Sequence, residues 1–269
     1  MPGFNSNFTI YTINLLGVES KANETFLNKR IDFFINYLGF YRPDVACLQE
    51  VSYSIWSKLC KFAKKHSYFL EPSSYNWLDS PRDHLITAAL LKYKPFYSVL
   101  LPLPHPSLNL DYHCLVVKLS NNIYVLNVHL YHGFANYKIR DLQLNYLKDY
   151  IESSNIRPLI LVGDFNFDLD DNSSTNKLFV EQTMLLKNVW NILNPGVRGF
   201  TQDPDTNTLR RQINSTTHKR RIDGFFCSNT GITPKYASLI ANEGIPNDKY
   251  LYNQLFVSDH YGVMCIFQI

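Results

Sequence analysis

Residues 159–166 read Leu-Ile-Leu-Val-Gly-Asp-Phe-Asn. Four apolar residues form a run of strand length, and then a glycine, a carboxylate, an aromatic ring and an amide follow. A carboxylate at the end of an apolar strand is costly to bury unless it is paired or holds a cation. Two readings compete. The strand leaves the core through an Asx-type turn, or it aims Asp164 and Asn166 at something.

The same ending recurs along the chain. FTIYTIN (8–14) delivers Asn14, DVACLQE (44–50) delivers Glu50, IYVLNVHL (123–130) carries His129, and FVSDHYG (256–262) places Asp259 and His260 just before a last apolar run. A single QE after an apolar run is usually a helix start, and a single histidine is usually a satisfied strand residue. Five such endings, all drawn from Asn, Asp, Glu and His, point instead to strand ends converging on one site. Carboxylate and amide oxygens suit a hard cation such as Mg²⁺. No HExxH motif and no paired cysteines with zinc spacing occur, which disfavours a zincin or a thiolate zinc site. Histidines and an amide beside such a cation could bind phosphate oxygens while a carboxylate activates water, the chemistry of metal-assisted phosphate-ester hydrolysis.

Further strand-length runs are ITAALLKY (86–93), HCLVVKL (113–119), PLILVGD (158–164), IDGFFC (222–227) and YGVMCIFQI (261–269). Helical spacing appears over 24–38, where Phe26, Leu27, Ile31, Phe34, Ile35 and Leu38 share a face ahead of Gly39, and again over 54–65 and 137–151. Strands outnumber helices, and hairpin-like neighbours mix with crossovers. The expected class is a mixed-sheet α/β protein rather than a doubly wound parallel one. With 269 residues, no internal repeat and no Pro/Gly/Ser linker, one domain over 1–269 is expected. The stretches 71–84 and 104–109 read as loops.

Hydrophobic residues at 45% and aromatics at 14% are ample for a core and exclude a disordered chain. A net charge of +3 permits an anionic substrate without demanding one. Arg210, Arg211, Lys219, Arg220 and Arg221 cluster, as either a solvated loop or a phosphate-facing patch. Five scattered cysteines read as reduced thiols in a reducing compartment, cytoplasmic or nuclear. No signal peptide is visible at the N-terminus and no apolar run approaches a membrane span.

The ordered set Asn14, LQEV (48–51), NVHL (127–130), GDFN (163–166), RRID (220–223) and SDHYG (258–262) resembles the endonuclease/exonuclease/phosphatase superfamily, which includes DNase I, AP endonucleases of the exonuclease III type, inositol-polyphosphate 5-phosphatases and neutral sphingomyelinases. The resemblance spans residues 8–269. Within that superfamily LLKNVWNIL (185–193), GFTQDPDTNTL (199–209) and KRRIDGFF (219–226) look most like the 5′-tyrosyl-DNA phosphodiesterase branch. The chain departs from that branch at Gln202, where an aromatic is usual, and lacks an arginine expected shortly after Asn166.

The resemblance implies a four-layer αββα sandwich of two mixed sheets. It also implies Mg²⁺, with Mn²⁺ as a substitute, held by Glu50 with Asn14 close by. Asp164 would orient or deprotonate water and Asn166 would help hold it. His129 and His260 would donate to phosphate oxygens, Asp223 would hold the ring of His260, and Asp259 would support the metal–phosphate region. Thr201 and Asn207 would face the substrate, or serve as loop residues. The implied substrate is a phosphodiester at a DNA 5′ end, acted on by a monomer. Its rivals are a sphingomyelinase-like or inositol-phosphate hydrolase, whose exposed apolar loop would be NWLDS (76–80) or PLPHPSLNL (102–110), and a binding module with the same fold.

Overall fold

In the computed structural model, residues 6–77, 83–105, 112–213, 217–246 and 254–269 are described. The strands are β1 (Asn7–Asn14), β2 (Val45–Val51), β3 (Phe69–Glu71), β4 (Ile86–Leu91), β5 (Tyr97–Pro102), β6 (His113–Lys118), β7 (Tyr124–His129), β8 (Leu159–Asp164), β9 (Lys187–Asn188), β10 (Asp223–Cys227), β11 (Thr233–Ile240) and β12 (Gly262–Gln268). The helices are α1 (Leu27–Tyr41), α2 (Tyr53–His66), α3 (Tyr137–Ser153), α4 (Thr175–Leu178), α5 (Val189–Leu193) and α6 (Thr208–Ile213).

The strands form two sheets, ordered β11-β12-β1-β2-β4-β3 and β5-β6-β7-β8-β10-β9. Each contains one parallel pair, β1 with β2 and β7 with β8, and each pair is joined by a crossover helix, α1 or α3. All other pairings are antiparallel. This is the mixed-sheet architecture expected from the run pattern. The apolar runs read from the sequence are the interior strands. The four strands they missed, β3, β5, β9 and β11, are the four sheet edges. An edge strand needs apolar side chains on one face at most, and β5 and β11 are accordingly half-exposed along most of their length.

Three apolar layers hold the sandwich. Between the sheets, Ile10, Val45, Cys47 and Phe267 meet Leu115, Val125, Val162 and Phe225. Outside the first sheet, Ile13, Leu48 and Leu90 pack on Ile31, Phe34, Leu59 and Phe62 of α1 and α2. Outside the second, Leu126, Val128 and Leu161 pack on Leu144, Leu147 and Ile151 of α3. Successive strand residues point to opposite faces, so both faces of each interior strand are apolar, which is why these runs do not alternate.

One fully buried polar cluster bridges the two sheets within the apolar layer between them. Gln49 of β2 donates through Nε2 to Asn127 Oδ1 of β7 at 2.6 Å and to Thr12 Oγ1 at 3.0 Å. Asn127 Nδ2 donates to the carbonyls of Leu48 and Ala88 at 3.1 and 2.9 Å. All three side chains are fully buried. Such groups are retained only with their hydrogen bonds made.

Helix α1 starts three residues later than its apolar spacing indicates and runs through Gly39. It ends at Arg42, in the left-handed region at φ 48°, whose N–H bonds to Leu38 O at 2.9 Å. Gly39 is a packing residue rather than a stop: Phe62 and His66 of α2 lie 3.7 Å from where its side chain would begin. The loops read at 71–84 and 104–109 fall partly outside the described residues, as do the two apolar loop candidates at 76–80 and 102–110. Among the described residues all five cysteines are free, and no helix is long and apolar enough to cross a membrane.

Candidate active site

At one end of the second sheet, the ends of β7 and β8 lie beside the start of β10. His129 pairs with Asp164, and Asp164 pairs with Asp223, as direct ladder partners. Gly163 makes this possible. Its φ is 136°, and a Cβ there would lie 2.0 Å from Val128 O, inside the neighbouring strand. The glycine lets β8 lie close enough to β7 for Asp164 to reach the site.

Asp164 answers both readings of its motif at once. Its Oδ1 accepts the Asn166 N–H at 2.9 Å, closing an Asx turn, and Asn166 sits in the left-handed region at φ 54°, which asparagine tolerates. Its Oδ2 faces inward, 3.0 Å from Asn14 Nδ2, 3.8 Å from His129 Nε2 and 3.9 Å from His260 Nδ1. Asn166 Nδ2 donates to Leu130 O at 2.8 Å. Burial, and then the charge of Asp223, hold the Asp164 carboxyl above the ordinary carboxylate range, although His260, His129 and Asn14 oppose the shift.

The first sheet supplies Asn14 and Glu50. Asn14 Nδ2 donates to Glu50 Oε1 at 2.8 Å as well as to Asp164, bridging the two sheets, while its Oδ1 accepts the Leu16 N–H at 3.0 Å. In this geometry Asn14 presents hydrogens, not a lone pair, to the carboxylates. Glu50 sits in the left-handed region at φ 53°, where the β2–β4 ladder shifts register between Leu48 and Val51. Gly17 packs over it so closely that a Cβ would lie 1.9 Å from Glu50 O.

His260 completes the centre. Asp223 Oδ2 accepts from its Nδ1 at 2.9 Å and so holds the ring. Burial alone would lower the pKa of His260, but Asp223, Asp259 and Asp164 outweigh it and raise it to about 10. Asp259 is buried beside Arg210, whose Nη1 lies 2.8 Å from Oδ2. Burial raises its pKa, but His260, Arg210 and Arg30 prevail and leave the carboxyl below its ordinary value.

These residues open on one cavity of about 590 Å³, lined by Asn14, Glu50, His129, Asp164, Asn166, Asp259 and His260 among others. Asp223 stands behind His260, outside the lining. Thr201 and Asn207, expected to face a substrate, are fully buried and do not line the cavity. Thr201 Oγ1 accepts the N–H groups of Ile222 and Asp223, at 3.1 and 3.2 Å. Asn207 Nδ2 donates to Ser258 O at 2.9 Å and its Oδ1 accepts the Arg210 N–H at 3.1 Å. Both hold the strand and loop that carry Asp223, Asp259 and His260.

The basic cluster divides. Lys219 pairs with Asp203 and Asp205, Arg211 caps the carbonyls of Pro204 and Asp205, and Arg221 is buried on Asp170 and Asn191. Arg210 and Arg220 alone of the five line the cavity. Sequence reasoning missed Arg30, a fully buried arginine that donates to the carbonyls of Leu15, Leu16, Thr25 and Val257. It clamps the loop after Asn14 to the segment before Asp259. The available signal was a charged residue on the apolar face of α1, between Leu27 and Phe34.

The donor set fits a divalent cation. Four carboxylates gather at this end of the sandwich, and Asp164, Asp223 and His260 offer ligand atoms within 4.8 Å of one another. Glu50 Oε1 is taken by Asn14, and among the described residues its second oxygen has no hydrogen-bond partner. Oxygen-rich, carboxylate-dominated sites are those that hard cations occupy.

Two mixed sheets face to face, with helices outside and a carboxylate–histidine cavity at one end, define the DNase I-like class of folds. The chain belongs to the Endonuclease/Exonuclease/phosphatase family, whose model matches residues 11–260. Members of this family are usually phosphoric-ester hydrolases. Among solved structures, the chain is similar to TDP2 of D. rerio complexed with a single-strand DNA product, at TM-score 0.75 and 22% identity over 98% of this chain and 100% of that one. It is similar to truncated TDP2 of Caenorhabditis elegans at TM-score 0.72 and 16% identity, covering 98% of each chain. It is also similar to a beta toxin of Staphylococcus aureus at TM-score 0.73 and 17% identity, over 96% of this chain and 99% of that one. No curated protein sequence matches the chain at a significant level.

Proposed function

We propose that this protein is a Mg²⁺-dependent phosphodiesterase, able to use Mn²⁺, acting on a DNA 5′ end of the 5′-tyrosyl type. The observation that carries this reading is the meeting of Asn14 and Glu50 from the first sheet with His129, Asp164 and Asn166 from the second, across a single hydrogen-bonded amide. The single-strand DNA product in the D. rerio TDP2 structure supports the choice of substrate class.

In this reading Glu50 holds the cation, with Asn14 fixing the carboxylate by its hydrogen bond. The bound cation supplies Lewis-acid stabilisation of charge on the phosphoryl oxygens. Asp164 orients the attacking water or takes its proton, and its raised pKa brings it closer to the range useful for a general base. Asn166 helps hold that water. His129 and His260 donate to phosphate oxygens as negative charge grows on them. Asp223 keeps the His260 ring in one orientation, and Asp259 anchors Arg210 beside it.

The test is a side-by-side assay of Mg²⁺-dependent release from 5′-tyrosyl-DNA, abasic DNA, sphingomyelin and inositol polyphosphates. Cleavage of the 5′-tyrosyl substrate well above the others is expected. Preference for a lipid or an inositol phosphate would reassign the substrate and leave the catalytic groups in place. Activity on none of the four would overturn the proposed substrate classes.

A further inference from the structure

Gln202 is the position at which the chain departs from the branch it resembles, and its side chain is not idle. Its backbone is fixed by a two-way bridge to Arg220, N–H to O at 2.9 Å and O to N–H at 3.0 Å. Its Oε1 accepts from Arg210 Nη2 at 2.9 Å, and Arg210 is itself held by Asp259 through Nη1 at 2.8 Å. A guanidinium has donors only, so nothing but the carboxamide oxygen can face it. Arg210 therefore decides which way the amide points, and the NH₂ group is turned to His260, with its nitrogen 2.9 Å from Nε2.

That placement matters because Nδ1 of the same ring is already committed to Asp223, leaving Nε2 as the free nitrogen of a histidine that lines the cavity. The amide nitrogen carries two hydrogens: an unprotonated Nε2 accepts one of them and leaves the other, whereas a protonated Nε2 is itself a donor, so that ring and amide together call for an acceptor. Gln202 also lines the cavity, although the residue is 95% buried, with relative exposure of 5%. Beside it, Arg210 Nε is buried without a hydrogen-bond partner. Donors of Gln202 and Arg210 thus gather beside His260, with the Asp259 carboxylate among them, its Oδ2 4.0 Å from His260 Nε2.

We propose that Gln202 is a phosphate-binding residue of this site, its carboxamide NH₂ donating to the non-bridging oxygen that His260 contacts, with Arg210 and Asp259 as the groups that orient it. The inference rests on the phosphodiesterase reading and adds to it a substrate contact particular to this chain. A neutral amide contributes a donor without changing the charge balance around the cation site. An aromatic at the same place would supply stacking or packing but no such donor.

Two variants separate this from a structural role. Gln202→Leu keeps the volume and burial but removes the donors, together with the oxygen that accepts from Arg210. KM for the cleaved phosphodiester should rise about tenfold to a hundredfold, the loss expected for one hydrogen bond to a charged group, with a smaller change in kcat. Gln202→Glu keeps the shape and places a carboxylate against Arg210. It should fold with an undiminished melting temperature yet raise KM further, because an anion now faces the phosphate. In parallel, inorganic phosphate is titrated into wild-type protein while the Gln202 side-chain NH₂ resonances are followed by NMR. They should shift saturably.

An unchanged or lowered KM in Gln202→Leu, with NH₂ signals that phosphate does not move, would overturn the proposal, since the amide would then be filler or an obstruction. If phosphate moves those signals while none of the phosphodiesters is cleaved, the binding role stands and the assigned reaction falls. If wild type cleaves and Gln202→Leu cleaves with the same KM, the reaction stands and the binding role falls.

Discussion

At the end of the second sheet, His129, Asp164 and Asp223 face one another across three neighbouring strands in unbroken register. At the end of the first sheet, Glu50 sits where the ladder slips, with its backbone in the left-handed region. A regular ladder spaces side chains by strand geometry alone, so the histidine–carboxylate half needs only correct pairing and one missing Cβ at Gly163. The half proposed to hold the cation needs a bent strand. Glu50 immediately follows Gln49, which is fully buried in the core, and a residue following in plain β geometry would point to the opposite face of the sheet. The left-handed turn re-aims the carboxylate, at a cost of about 1–2 kcal/mol for a side chain with a Cβ.

The largest effect that can break this comparison is chemical. Asp164→Asn is nearly isosteric and keeps the Asx turn, so its melting temperature should change little. It removes the charge that, on the proposed reading, orients water or accepts its proton, and kcat should fall about 10²- to 10⁴-fold. If melting temperature falls instead while activity per folded molecule persists, the second sheet contributes architecture and not chemistry. Next, Glu50→Gln keeps the bent strand but loses a charged oxygen ligand. The Mg²⁺ concentration for half-maximal activity should rise by roughly tenfold to a hundredfold, a loss in the range seen when a metal site is weakened. An unchanged titration would remove Glu50 from the cation.

Gly163→Ala tests whether close approach of β7 and β8 sets the site. The new Cβ collides with Val128 backbone, and destabilisation above about 2 kcal/mol is expected from denaturant unfolding. The same change at Gly196, at φ 79° but with nothing within 4 Å, should cost less. The smallest effect is the sharpest for the contrast between the halves. At position 50, Gly should be more stable than Ala by about 1 kcal/mol, because Gly accepts a positive φ. At position 164 the order should reverse, by about 0.5–1 kcal/mol. The same order at both positions would mean that the two halves are built alike.

This contrast also explains what the sequence reveals and what it hides. Interior strands carry apolar side chains on both faces and stand out as runs, and all of the runs read from the sequence became interior strands. The edges β3, β5, β9 and β11 have one neighbour each; β3 and β9 are too short and β11 too polar to announce themselves, whereas β5 carries a legible Val99-Leu100-Leu101 run that sequence reasoning missed. The site shows through the polar endings of the interior strands, because a carboxylate after four apolar residues is costly without a purpose. Thr201 and Asn207 had the same polar character, and nothing in their spacing distinguishes a side chain facing a cavity from one satisfying buried N–H groups behind it. Gln202 stood out only as a departure, and its partner Arg210 was one of five indistinguishable basic residues until the fold paired Arg211, Lys219 and Arg221 away.

The Gln49–Asn127 hydrogen bond lies just beneath the place where the two halves meet. Gln49 precedes Glu50 by one residue, and Asn127 precedes His129 by two. An apolar interface between sheets resists separation by burial and sliding by interdigitation, but no single contact in it has a preferred direction. A directional bond with fixed partners on both sides acts as an alignment pin. Its lever arm to the reacting groups is no longer than two residues, so tolerance at the pin becomes tolerance at the site almost one for one. Replacing both residues with leucine would leave a sandwich that holds together while its two jaws lose their common zero.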